Sequence, residues 1–66
     1  MLNENTWGLG LTYNLLGRIY FKEAENYEVA KEFFGKAMVN FTLCQHYRGM
    51  FMTEEAMMDV AVKEKT

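Results

Sequence analysis

Proline is absent from this 66-residue chain, and cysteine, histidine and tryptophan occur once each. The single cysteine rules out an intramolecular disulfide. Cys44 and His46 stand two apart, on different faces of any helix, which disfavours a zinc site and a thiol–imidazole catalytic pair alike. Positive charge is sparse: seven Lys and Arg against nine Asp and Glu give a net charge of −2, without the basic cluster that neutralises phosphates, so no nucleic-acid partner is expected. No run approaches the roughly 18–20 apolar residues of a membrane span, and the opening MLNENTW lacks the basic n-region of a signal peptide. A cytoplasmic location without membrane contact is the expectation, and a lone thiol suits a reducing compartment. Gly8-Leu9-Gly10 is no phosphate loop, having neither a preceding strand nor a following Gly-Lys-Ser/Thr. The acidic pairs Glu28/Glu32 and Glu54/Glu55 meet no convergent ligands and read as solvated or helix-capping residues. No catalytic residue, cofactor or metal site is expected.

Apolar surface, by contrast, is abundant: half of the residues are hydrophobic and 15% are aromatic. A chain this short buries only about 60% of the surface that its unfolded form exposes, so a second subunit or a partner is the natural stabiliser. One domain covers residues 1–66. Hairpin turns and sustained alternation are both missing, and the apolar period is that of a helix, which predicts an all-α fold. The first helix is expected over about 11–24, with Leu15, Leu16, Ile19 and Tyr20 as its inner stripe. Asn5 or Thr6 could cap an earlier start, but Gly8 and Gly10 each cost a helix roughly 1 kcal/mol against Ala. Trp7 then packs as an anchor from outside.

Glu25-Asn26 forms the first turn, Asn being tolerant of left-handed backbone. A second helix over about 27–47 places Ala30, Phe34, Ala37, Phe41 and Cys44 at threes and fours, and a second row of Val29, Phe33, Leu43 and Tyr47 requires neighbours on both sides. Arg48-Gly49 is expected to end it and Met50-Phe51-Met52 to form a link. Thr53 then caps a third helix over about 53–63, with Met57, Val60 and Ala61 inward and Met58 and Val62 widening that stripe. Met1 and the capped third helix favour a whole gene product.

Tyr13, then Leu16-Gly17-Arg18-Ile19-Tyr20, then Tyr27-Glu28-Val29-Ala30-Lys31-Glu32-Phe33-Phe34-Gly35-Lys36-Ala37 together resemble one tetratricopeptide repeat over residues 13–41. The resemblance implies an antiparallel helical hairpin built on Tyr13, Leu16, Gly17, Tyr20, Ala30, Phe34 and Ala37. In it Gly17 lets the helices approach, Ala30 lies opposite, and Tyr20, Phe34 and Ala37 fill the space between. It also implies protein recognition. No second copy of the repeat is present, so the hairpin with its third helix lacks the stacked neighbours of an array and is expected to be completed by oligomerisation.

Six methionines, four of them within residues 50–58, add flexible thioethers suited to varied partner surfaces. Trp7, Phe33, Tyr47, Met50, Phe51 and Met52 exceed what one hairpin can bury and are the expected partner-binding residues. The resulting reading is a non-enzymatic protein-interaction module, an adaptor, chaperone-like protein or inhibitor, with a homodimer as its expected form. The alternative is a small-ligand or peptide sensor with an apolar pocket lined by Tyr20, Phe41 and Met57.

Overall fold

The computed structural model describes residues 4–66, Glu4 by its backbone alone; Met1 lies outside that range. Three helices, α1 (Glu4–Lys22), α2 (Tyr27–Leu43) and α3 (Tyr47–Lys65), make an all-α fold, with no strand among the described residues. α2 packs against both of the others and runs antiparallel to each, so α1 and α3 are parallel.

α1 starts about two turns before the expected 11, and a packing requirement explains why. A Cβ placed on Gly10 would stand 2.7 Å from Cε1 of Phe41, a fully buried ring. Burying a phenylalanine contributes about 1.5–3 kcal/mol, more than the helix cost of one glycine at about 1 kcal/mol. Gly17 serves Phe34 in the same way, again with Cε1 at 2.7 Å from the would-be Cβ. The crossing at Gly17 is therefore filled by the Phe34 ring rather than by Ala30.

The buried side of each helix follows the same spacing, i, i+4, i+7, i+11. On α1 it is Gly10, Asn14, Gly17 and the half-buried Phe21; on α2 it is Ala30, Phe34, Ala37 and Phe41; on α3 it is Gly49, Thr53, the half-buried Ala56, and Val60. Small residues on the outer helices leave room for two rings from the middle one. Half-way along, Asn14 Nδ2 donates to Thr53 Oγ1 at 3.0 Å and joins α1 to α3 directly. Among the described residues no buried side-chain polar atom lacks a partner. Leu15 and Ile19 fall on the opposite side of α1, 55% and 52% exposed, so the expected inner stripe is rotated and only Leu16 and Tyr20 of it are half-buried.

Both turns are built alike. A residue of positive φ, Glu25 at 51° or Gln45 at 54°, precedes the capping residue of the next helix, Asn26 or His46. The left-handed backbone expected at Asn26 thus falls one residue earlier, and Asn26 Oδ1 accepts the Val29 N–H at 3.3 Å instead. α2 stops at Leu43 rather than 47, where the His46 N–H closes the turn on the Phe41 carbonyl at 2.8 Å. α3 begins at Tyr47, so the expected stop at Arg48-Gly49 and the expected link at Met50-Phe51-Met52 are its first turns. Gly49 is buried inside the helix because a Cβ there would lie 2.6 Å from Phe41 Cδ1. Thr53, expected as a cap, is a fully buried mid-helix residue bonded to Asn14.

Candidate docking surface

The turn between α2 and α3 gathers the rarest residues of the chain. His46 Nδ1 accepts the Gly49 N–H at 2.9 Å and caps α3. Its ring centre lies 5.3 Å from that of Phe41 and 6.0 Å from that of Trp7, so Trp7 anchors α1 at this end while remaining 46% exposed. The half-buried Cys44 turns its thiol to the Phe41 carbonyl at 3.7 Å. Imidazole and thiol are therefore engaged separately, each with a backbone group. Sequence reasoning missed the capping role of His46, since Ser, Thr, Asp and Asn are the residues that usually signal a cap.

The six expected partner-binding residues separate on folding. Phe33 is half-buried and stacks on Tyr20 at 5.5 Å and on Tyr13 at 6.0 Å between ring centres. Lys36 Nζ lies 5.7 Å from the Tyr13 ring centre and 5.9 Å from that of Phe33. Phe33 thus belongs to the α1–α2 seam, because Tyr13 and Tyr20, two turns apart on α1, form a slot for its ring. Met50 is half-buried, and Met52 borders a groove between α1 and α3.

Tyr47 and Phe51, 71% and 62% exposed, stand on the outer side of α3. Met58 and Val62, 66% and 61% exposed, continue the same side. The expectation that Met58 and Val62 widen the inner stripe is not met: with Ala56 and Val60 facing the core, residues two positions away point outward. Ala61 is exposed as well. Glu54 and Glu55 interrupt the row at its middle.

Beside this row, Met38, Glu54, Met57 and Met58 line an open depression of about 490 Å³. The groove between α1 and α3, about 300 Å³, has Arg18 and Lys22 on one wall, Glu55 and Asp59 on the other, and Phe21, Ala56 and Met52 between them. Phe41 is enclosed at the His46 end, whereas Tyr20 and Met57 pack around Ala30, Phe34 and Val60 at the other end.

Lys31 Nζ meets Glu64 Oε2 at 2.9 Å and links α2 to α3 across solvent-exposed surface. The hydrogen bond to Glu64, and then its charge, hold the Lys31 ammonium above its ordinary range. Among the described residues no group of three or more His, Cys, Asp and Glu is placed to hold a metal, and no helix is long and apolar enough to cross a membrane. No family model matches the sequence, and no curated protein or solved structure matches it.

Proposed function

We propose that this chain is a non-enzymatic, cytoplasmic protein-interaction module, a tetratricopeptide-like hairpin extended by a third helix, which docks through the outer face of α3. The observation that carries the reading is the row Tyr47, Phe51, Met58 and Val62, four large apolar side chains exposed on one side of one helix. Single exposed apolar residues are ordinary, but two exposed apolar pairs on one side of one helix, Tyr47 with Phe51 and Met58 with Val62, are not. Eleven large apolar side chains are exposed among the described residues, the four of this row among them. Aromatic and thioether groups adapt well to protein partners, and the Met38, Met57 and Met58 depression beside the row can receive a side chain from one. A second copy is the simplest such partner, and self-association would complete a small core. Occlusion or scaffolding is then the mechanism, as in an adaptor, a chaperone-like protein or an inhibitor.

Sedimentation equilibrium from low to high micromolar concentration, with circular dichroism on the same samples, tests this. The mass should rise toward a dimer. The double variant Phe51→Ser/Met58→Ser should stay monomeric with its helical signal intact, because neither side chain is part of the core. A wild-type monomer across the whole series overturns the self-associating form.

A further inference from the structure

One side chain caps the N-terminus of α3: His46 Nδ1 accepts the Gly49 amide at 2.9 Å. The rings packed on the imidazole are Trp7 from α1 and Phe41 from α2, and neither titrates. A Cβ on Gly49 would stand 2.7 Å from Nδ1, so ring and backbone are already in close contact.

We infer that this cap is an acid-released latch on the first turn of α3. Nδ1 accepts a hydrogen bond only while it carries no proton; the imidazolium has two N–H donors and no acceptor. Protonation sets donor against donor at Gly49 and adds a positive charge at a helix N-terminus, where the partial charge is already positive. The titratable groups nearest in the chain are the Cys44 thiol, the Tyr47 phenol and the Arg48 guanidinium, and the Arg48 cation opposes a second positive charge there. Among the residues whose side chains are described, no ion pair joins a carboxylate to His46 to compensate. The latch therefore holds while Nδ1 is bare and opens when Nδ1 takes a proton. Tyr47, Met50 and Phe51 ride on the released turns, so acid should also weaken docking through α3; that consequence rests on the function proposed above, whereas the latch itself does not.

Two measurements on dilute protein without a partner decide it. Imidazole ¹⁵N shifts at about pH 7.5 should show the Nε2–H tautomer with Nδ1 bare, and an Nδ1–H tautomer overturns the latch. Thermal melts at about pH 7.5 and 5.5 should show the wild type losing roughly 4–8 °C more than His46→Asn, which caps without titrating. Equal losses in the two proteins overturn it too. The tautomer needs no variant, so it remains decisive if His46→Asn does not fold.

Discussion

At one end of α2, Phe34 rests on Gly17 and is surrounded by side chains: Ala30 and Val60 in the core, then Tyr20, Phe21, Tyr27, Ala56 and Met57 at its margin. At the other end, Phe41 sits between the backbones of α1 and α3 at Gly10 and Gly49, with the capping imidazole of His46 against it. Both rings are fully buried and occupy the same side of the helix. They differ in what encloses them. Side chains at a margin can change rotamer around an altered neighbour, whereas two glycine backbones and a helix cap yield only if a helix moves. The Phe34 end should therefore absorb change, and the Phe41 end should transmit it to the start of α3.

The largest effects should come from removing the rings. Phe34→Ala and Phe41→Ala each delete a fully buried phenylalanine and should cost about 3–5 kcal/mol, a large part of the stability of any small domain. Urea unfolding measures the cost, and amide exchange at Gly49 separates the two ends. Phe41→Ala should lose protection at Gly49 along with its stability, because the ring supports His46, while Phe34→Ala should keep it up to the point of global unfolding. Equal local loss in both variants would break the comparison.

Next come the glycines under the rings. Overpacking costs about 1–3 kcal/mol, offset by the roughly 0.5–1 kcal/mol that alanine gains over glycine in a helix. In Gly17→Ala the three atoms nearest the new methyl all belong to Phe34, which can tilt toward Tyr20 and Met57. In Gly49→Ala it meets Phe41 and His46 Nδ1 together, and so strikes the cap as well as the ring. Gly49→Ala should lie at the upper end of the range and Gly17→Ala at the lower, read as urea midpoints at constant slope. The reverse order would mean that the His46 end is the softer one.

This asymmetry also explains how much was legible beforehand. The all-α class and the inner face of α2 are written in large apolar residues at helical spacing, so Ala30, Phe34, Ala37 and Phe41 could be read directly. The matching faces of α1 and α3 are written in Gly10, Asn14, Gly17, Gly49 and Thr53, none of which carries a hydrophobic signal. What selects them is the space that two rings on another helix need, a long-range requirement invisible to local propensity. Gly10 accordingly counted as a helix cost and Gly49 as a stop, which moved the starts of α1 and α3 and rotated their faces. Tyr47 and Phe51 were recognisable as surplus aromatics, but Met58 and Val62 were hidden by the misplaced start of α3. Phe33 erred the other way, because its slot between Tyr13 and Tyr20 forms only once two helices are aligned.

The smallest expected effect tests that account most directly. All five glycines lie within helices, yet a Cβ on Gly8 or Gly35 meets nothing within 4 Å. Neither has a ring to accommodate, so alanine at either position should stabilise the protein by about 0.5–1 kcal/mol, and the two gains should add because the sites share no partner. Gly8→Ala carries the sharper information. Gly8 lies in the stretch of α1 that local propensity alone leaves out of the helix, and its gain depends on that stretch being helical in the folded protein. A rise in melting temperature with Gly8→Ala supports an α1 that starts near Glu4 and carries Trp7 to His46. No change in Gly8→Ala, alongside a gain in Gly35→Ala, would put the N-terminal turns outside the helix and detach Trp7 from the end of the molecule that Phe41 holds together.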